Sequence, residues 1–458
     1  MAQRSVPSPS GLSRSTSARR WMTVAAVAAA ATLAACSAPG SGSGSVDTAS
    51  AGEPAAVSTD LGTDPIELTL YDGAGLKAVD DALIAAFTTK YPNVTITTRF
   101  DPDDVQAQNA PRVLSSDNPP DIARIVALGD IVKNGQLTDL EPWAAAYGWD
   151  ALPGGQLAMY TVDADGVRGS GAQYTVASGF VVTGLYYDKS VAATVGMTTP
   201  PATVDELEAA LAKAKDAGVV PMIIGNQTGQ GTFPIQMMIN SYAGQQSVND
   251  WVFNVADATI DTPEGVEAVT RVADWAAQGY FNSDANGTDS TTALGRFTQG
   301  EALFYPSGNW DASSLQDQMG DNVGFVLPPA TTVGSSLAMS DPVSNFGIPA
   351  KSTNKDAAAV FLNFLTSPEA RQVMVDFGFA PSGTGDAPTT PDGSLNAEIQ
   401  AAFAGLVEAD GQVQFVQNAT SGINAIWLAQ TQLLIEARTT PQDYLAAVQA
   451  AYQEQLGR

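Results

Sequence analysis

Segments with strand periodicity and segments with helix periodicity alternate at the start of the folded body, and this alternation restricts the fold most. Ile66–Tyr71 alternates apolar with polar residues, as a strand does, and apolar residues between Leu76 and Phe87 recur at helical spacing. Further strand-like runs follow at Val94–Phe100 and Asp121–Val126. Such alternation favours a largely parallel sheet covered by helices. We therefore predict an α/β fold.

The first 35 residues have the composition of a secretory signal. They contain four arginines and no acidic residue, and the apolar run Trp21–Ala31 is too short to span a bilayer. Cys36, the only cysteine, closes Leu33–Cys36, a run that resembles the lipobox of bacterial lipoproteins. We predict a signal peptide at residues 1–35 and a flexible tether at 36–64, with lipid (palmitate) on Cys36. A small-residue cleavage site that contains a cysteine by chance is the alternative, and the pair Arg19–Arg20 leaves Sec and twin-arginine export both open.

The charge and the scarcity of metal-binding residues exclude several classes of function. The formal net charge of the 458 residues is −27, and removal of the four signal-peptide arginines lowers it to −31. Nucleic acid is therefore not an expected partner, and contact with the membrane is expected through the lipid anchor only. Histidine is absent and cysteine occurs once, so we expect no metal site and no cofactor.

Several motifs lie in the order and spacing found in extracellular solute-binding proteins of bacterial ABC importers. The motifs are Ala86–Val94, Pro119–Ile122, Gly184–Lys189, Pro200–Leu207, Phe297–Phe304, Gly308–Trp310 and Gly347–Ala350. The chain thus resembles the sugar-binding group of that family, which includes maltose-binding protein. The resemblance implies a two-lobe, type II periplasmic-binding-protein-like fold with a hinge and a ligand cleft between the lobes. It implies that residues 65–178 plus about 342–388 form lobe 1, and that residues 179–341 plus about 389–458 form lobe 2.

The function implied by the resemblance is that of a receptor without enzymatic activity. A monomer anchored by lipid on the extracellular face of the cell membrane would capture a carbohydrate, expected to be an oligosaccharide, and deliver it to the permease subunits of an ABC transporter. One alternative keeps the fold and binds a polyamine, a peptide or another non-sugar solute. A secreted glycosidase that uses two carboxylates is the enzymatic alternative. No nucleophile elbow, phosphate loop or metal-ligand spacing occurs in the sequence to support an enzyme.

Two tryptophans are candidate surfaces for the apolar face of a sugar ring. Trp310 follows the turn Pro306–Asn309 and precedes Asp311, whose carboxylate suits sugar hydroxyls. Trp310 also matches a ligand-binding tryptophan of the family. Trp427 lies in a run that resembles another ligand-contacting segment of the family. Packing in the core is the alternative for both tryptophans.

Polar candidates follow the predicted strands, where open α/β sheets present ligand-binding groups. Tyr71 and Asp72 end the first strand, although Asp72 could instead cap the next helix. Arg124 lies at the matching edge of the third strand and is either a ligand contact or a surface arginine.

Two further segments supply candidates. The family uses the loop after Pro221–Ile224 for polar and aromatic contacts, which here nominates Gln227 and Phe233. Asn345, near a predicted hinge crossing at Pro342–Ile348, either faces the cleft or packs. Where the maltose-type pattern has an acidic residue before the hinge tyrosines, this chain has Phe180–Val182, so the resemblance does not fix the ligand.

Overall fold

The strands predicted near the start of the body form one side of a six-stranded sheet. The computed structural model describes residues 57–386, 388–420 and 422–458, which fall within one of the two units into which the chain divides, Pro54–Arg458. The strands are β1 (Ile66–Gly73), β2 (Val94–Asp101), β3 (Ile122–Arg124), β4 (Thr161–Val162), β5 (Ala172–Gln173), β6 (Thr175–Phe180), β7 (Thr183–Asp188), β8 (Val220–Met222), β9 (Ala302–Gly308), β10 (Val323–Val326), β11 (Ala338–Met339), β12 (Pro342–Gly347), β13 (Ala380–Pro381) and β14 (Gln412–Val413).

Helices occupy most of the chain between these strands. They are α1 (Lys77–Lys90), α2 (Asp103–Leu114), α3 (Leu128–Lys133), α4 (Glu141–Tyr147), α5 (Gly154–Tyr160), α6 (Lys189–Thr194), α7 (Val204–Asp216), α8 (Thr232–Ala243), α9 (Gln245–Val252), α10 (Pro263–Ala277), α11 (Ser290–Thr298), α12 (Ala312–Met319), α13 (Lys355–Phe364), α14 (Pro368–Asp376), α15 (Leu395–Glu408), α16 (Ile423–Ile435) and α17 (Pro441–Leu456). Within the described ranges, no helix is both long and apolar enough to cross a membrane.

Local sequence signals explain where several helices begin. Thr203 and Glu206 form a capping box at the start of α7. Thr262 caps α10, whose first residue is Pro263, and Ser367 caps α14 in the same way. Each of these three helix starts depends on residues a few positions apart in the sequence. Pro111 lies inside the continuous helix α2.

The six-stranded sheet has the order β13-β6-β12-β3-β1-β2. β1 runs parallel to β2 and β3, as the alternating pattern predicts, whereas β12 runs antiparallel to β3 and β6. A core that includes Leu70, Phe87, Ile122, Phe346 and Phe361 joins this sheet to α1 and α13.

The second large sheet has four strands in the order β10-β7-β9-β8. β7 is antiparallel to its neighbours β9 and β10, and β8 is parallel to β9. Its largest core cluster is built with α7, α8, α10, α16 and α17, and contains Trp251, Trp275 and Trp427.

The chain passes between the two sheets at adjacent positions. Val181 and Val182 connect β6 to β7, and Ser340 and Asp341 lead into β12. The two crossings are tied together, because the Val181 N–H donates to the Asp341 carbonyl (3.0 Å) and the Ser340 hydroxyl donates to the Val181 carbonyl (2.8 Å). The second crossing therefore precedes the predicted segment Pro342–Ile348, most of which is already paired with β3 and β6 as strand β12.

Candidate ligand-binding site

A cleft of about 590 Å³ lies beside the two crossings and is bordered by elements of both large sheets. Its lining combines aromatic side chains with hydroxyl, amide and charged groups. The lining residues that the following argument uses are Arg124, Gln230, Phe233, Tyr305, Ser307, Trp310, Asp311, Asp341, Phe415, Asn424 and Leu428. Such a mixture provides both apolar surfaces and hydrogen-bonding groups to a small organic ligand.

Trp310 is the most accessible aromatic side chain in this lining. It lies in a 3-10 turn directly after β9 and is 43% exposed, which is unusual for a residue of this size. Its indole lies directly against the backbone of Gly308, where a Cβ atom would come within 2.1 Å of the ring. The ring meets Phe233 edge-on at 6.1 Å, and Phe233 meets Phe415 in the same way at 6.2 Å. The predicted Trp310 and Phe233 thus lie together in one aromatic corner of the cleft.

Asp311 lies beside this corner and is held in a fixed orientation. Its Oδ2 accepts hydrogen bonds from the Tyr305 hydroxyl (2.9 Å) and the Ser307 hydroxyl (2.6 Å). Burial raises the pKa of Tyr305, so this hydroxyl remains a donor at physiological pH. Both donors bond to the same oxygen, which leaves Oδ1 of Asp311 oriented for a ligand hydroxyl or ammonium group.

Arg124 borders the cleft from the six-stranded sheet. It ends β3, and its Nη1 donates to Asp72 Oδ1 (3.3 Å) and to Asp103 Oδ1 (3.2 Å). Its side chain is 26% exposed, so part of the guanidinium remains available. Arg124 is thus both a cleft residue, as predicted, and a member of an ion-pair cluster.

Asp341 contributes a carboxylate from the second crossing, and no sequence pattern indicated it. It accepts hydrogen bonds from the Asn418 side chain and, at 3.5 Å, from the Phe415 N–H. Burial raises the pKa of Asp341 to about 6, although these donors and the positive charge of Arg168 act in the opposite direction. Its charge therefore changes over a mildly acidic range of pH.

Three predicted polar residues lie outside the cleft lining. Asp72 is fully buried behind Arg124. Tyr71 is also buried; its hydroxyl donates to Asp101 (2.8 Å), and burial raises its pKa to about 12. The Asn345 amide donates to the Ile125 carbonyl at 3.5 Å. In this structure all three side chains are buried, so for Asp72 and Asn345 the structure agrees with the alternative of an internal role.

Gln227 is exposed but does not line the cleft. Its loop contributes Gln230 instead, three residues later along the chain. Gln230 accepts from the Gly225 N–H (2.7 Å) and donates to the Pro306 carbonyl (2.8 Å), so it links this loop to β9. Gln227 lies in the 3-10 turn Asn226–Thr228, and Gln230 is the amide side chain of this loop that lines the cleft.

Trp427 lies in the core, which is the alternative stated above, and it is not part of the cleft lining. It is 1% exposed and packs edge-on against Tyr444 at 5.5 Å. Asn424 and Leu428 of the same helix, α16, line the cleft. Residues four apart share a helix face, so Asn424 and Leu428 face the cleft together while Ile423 and Trp427 face the core together. The predicted lipidation site Cys36 lies outside the described residues.

Known proteins resemble this chain in sequence and in fold. The chain is 26% identical over 266 residues to a probable sugar-binding periplasmic protein of Mesorhizobium japonicum, an alignment that spans 57% of this chain and 61% of that relative. A family 1 extracellular solute-binding protein from Bifidobacterium longum subsp. infantis superimposes with a TM-score of 0.71 at 19% identity, covering 85% of this chain and 100% of that one. RafE in complex with raffinose superimposes with a TM-score of 0.64 at 18% identity, covering 85% and 99%. These structures confirm the predicted two-lobe, type II periplasmic-binding-protein-like fold.

A family model adds the evidence for membership. The model described as bacterial extracellular solute-binding protein matches residues 73–372. That family consists of extracellular receptors for solutes, so the predicted family and the predicted absence of enzymatic activity are both confirmed. Because the match spans well over half of the chain, this protein belongs to the bacterial extracellular solute-binding proteins.

Proposed function

We propose that this protein captures a carbohydrate, an oligosaccharide by preference, and delivers it to the permease of an ABC importer. The observation that carries the proposal is the exposed indole of Trp310, framed by Phe233 and flanked by the oriented carboxylate of Asp311. An aromatic surface beside hydrogen-bonding groups suits a sugar, whose ring has an apolar face and hydroxyl edges. The named relatives support the same class of ligand, since one is called sugar-binding and another holds raffinose.

The proposed mechanism is closure of the two lobes around the sugar. Groups that line the cleft come from both large sheets, so a ligand contacts both lobes fully only when they approach each other. Binding then shifts the population toward the closed form that the permease recognises. A micromolar ligand supplies about 8 kcal/mol of binding free energy, enough to offset a closing cost of a few kcal/mol. We propose the lobe boundaries given above, residues 65–178 plus about 342–388 and residues 179–341 plus about 389–458, with the first boundary moved to the crossing at Val181 so that β6 stays whole.

The proposal extends to the location of the receptor. We propose that residues 1–35 direct export and that lipid on Cys36 holds the monomeric protein at the outer face of the cell membrane. Mass spectrometry of protein from the native membrane tests this part. A mature chain that begins at a diacylated Cys36 is expected, and an unmodified Cys36 would contradict it.

A cationic solute, such as a polyamine, is the second candidate. The cleft lining carries two carboxylates, Asp311 and Asp341, against the single guanidinium of Arg124. That balance favours a positive ligand, whereas the aromatic corner favours a sugar.

A thermal-shift and calorimetry panel separates the two candidates. The panel contains raffinose, maltotriose, chitotriose and spermidine, and a true ligand raises the melting temperature with its concentration. We expect one or more sugars to bind and Trp310→Ala to weaken that binding at least tenfold. Phe377→Ala is the matched control, because Phe377 has the same exposure of 43% but lies outside the cleft lining. Binding of spermidine alone, or unchanged sugar binding by Trp310→Ala, would contradict the proposal.

A further inference from the structure

Two buried aspartates lie directly behind the cleft arginine. Asp72, near the end of β1, is 0% exposed, and Asp80, on α1, is 1% exposed. The two carboxyl groups are neighbours, since each lies close enough to shift the pKa of the other. Among the described residues, neither Oδ2 atom has a hydrogen-bond donor. A hydrogen bond between two carboxyl groups requires a proton on one of them, because an ionised carboxylate only accepts.

The remaining oxygens of the pair connect it to the cleft and to the crossing strand. Asp72 Oδ1 accepts from the Gly73 N–H and from Arg124 Nη1 (3.3 Å). Asp80 Oδ1 accepts from the hydroxyl of Ser344 on β12 (2.8 Å). A proton shared between the two carboxyl groups would complete a chain of hydrogen bonds from β12 to Arg124.

The charges around the pair favour one retained proton. The charged groups that face it within the described residues are Arg124 from β3 and, beyond that guanidinium, Asp103 from α2. One guanidinium thus faces three carboxyl groups. Burial, and next the charge of Asp72, raise the pKa of Asp80 well above its usual range, and burial also raises the pKa of Asp72. Ionising both buried groups would leave an uncompensated charge, which is costly in a desolvated site.

The conformation of Ser344 agrees with this arrangement. Ser344 has a φ of 46°, in the left-handed region that residues other than glycine seldom adopt. Such conformations persist where the surrounding structure imposes them. Here the unusual backbone accompanies the hydrogen bond from the Ser344 hydroxyl to Asp80, so this part of β12 places a donor beside the carboxyl pair.

We propose that Asp80 is a positioning residue for the cleft: protonated, it donates to Asp72, and Asp72 in turn holds the Arg124 guanidinium at the cleft edge. The link to ligand affinity rests on the proposed function, in which Arg124 contacts the solute. The link between Asp80 and Arg124 does not depend on it, because it concerns the ligand-free protein.

The proton is tested directly in the ligand-free protein. We expect the ¹³C shift of the Asp80 carboxyl group to show a protonated group at pH 7, and the exposed Asp81 on the same helix is the reference for an accessible carboxyl group. An ionised Asp80 at pH 7 would overturn the proposal.

The hold on Arg124 is tested with phenylglyoxal, which modifies accessible guanidinium groups. The rate at Arg124 is divided by the rate at the surface residue Arg438 to remove the intrinsic effect of pH on the reagent. Asp80→Asn keeps a donor toward Asp72 and an acceptor for Ser344, so we expect a wild-type ratio. Asp80→Ala removes the donor, so we expect the ratio to rise about fivefold or more. Asp81→Asn is the control on α1 and should match the wild type at every pH.

Equal Arg124 ratios in wild type, Asp80→Ala and Asp80→Asn would overturn the proposal, even if Asp80→Ala proved less stable. Calorimetry with raffinose then measures whether Asp80 affects sugar affinity, which is a separate question from its effect on Arg124. Weaker binding by Asp80→Ala but not by Asp80→Asn supports the link to affinity. Absence of binding by every protein on the sugar panel would contradict the sugar proposal and leave the Arg124 result unaffected.

Discussion

At the scale of single residues, the properties of the site depend more on how its side chains are positioned than on which residue types it contains. Trp310 is available because β9 ends in a glycine that allows the indole to lie on the backbone. Asp311 is oriented because two hydroxyl groups bind one of its oxygens. Binding sites gain affinity from such preorganisation, since less freedom is lost when the ligand arrives.

Gly308 provides a test of that positioning without removal of the aromatic ring. In Gly308→Ala the new Cβ would meet the Trp310 ring at 2.1 Å, and the exposed indole must move aside. We expect sugar affinity to fall about tenfold or more, while the free energy of unfolding changes by about 1 kcal/mol or less. Calorimetry and urea unfolding measure the two quantities.

The control is Gly405→Ala inside α15, where a Cβ meets no atom within 4 Å. This change should stabilise the protein by about 0.5–1 kcal/mol and leave binding unchanged. Unaltered affinity in Gly308→Ala would show that the observed position of Trp310 is not the one used for binding.

At the scale of elements, α16 shows how one helix serves both the core and the cleft. Ile423 and Trp427 are buried on one face, and Asn424 and Leu428 line the cleft on the neighbouring face. The sequence of α16 contains apolar residues on several sides, so its periodicity does not reveal which side is covered by α17. The contact between Trp427 and Tyr444 decides that orientation.

The two faces of α16 should respond differently to substitution. Trp427→Ala removes a large buried side chain and should lower the free energy of unfolding by about 3–5 kcal/mol. Asn424→Ala should change stability by about 0.5 kcal/mol or less and weaken ligand binding. Urea unfolding and calorimetry on both variants check this assignment. A stable Trp427→Ala protein that no longer binds sugar would instead indicate that Trp427 contacts the ligand.

At the scale of the whole molecule, adjacent crossings between two sheets allow relative motion of the lobes. Hydrogen bonds from Val181 and Ser340 hold the crossings side by side, and Asp341 in the second crossing also lines the cleft. We therefore expect binding and hinge geometry to be coupled through residues that belong to both.

We expect this coupling to appear as closure in solution. Small-angle X-ray scattering should show a smaller radius of gyration when a sugar identified by the panel saturates the protein, because the ligand contacts both lobes only in the closed form. Trp310→Ala at the same sugar concentration is the control and should retain the ligand-free value. An unchanged radius in the saturated wild type would contradict lobe closure.

The sequence by itself determined the first three strands and the first helix of the body, several helix starts and the family. The β1–β2–β3 pattern and the caps at Thr203, Thr262 and Ser367 are local, because strand alternation and capping depend on residues a few positions apart. Trp310, Arg124, Asp311 and Phe233 were placed in the cleft from neighbouring motifs. The tertiary structure alone decided that Trp427, Tyr71, Asp72 and Asn345 face the interior, and that Asp341 and Gln230 face the cleft. The reason is that burial of a side chain depends on the element packed against it, and these partners lie far away along the chain.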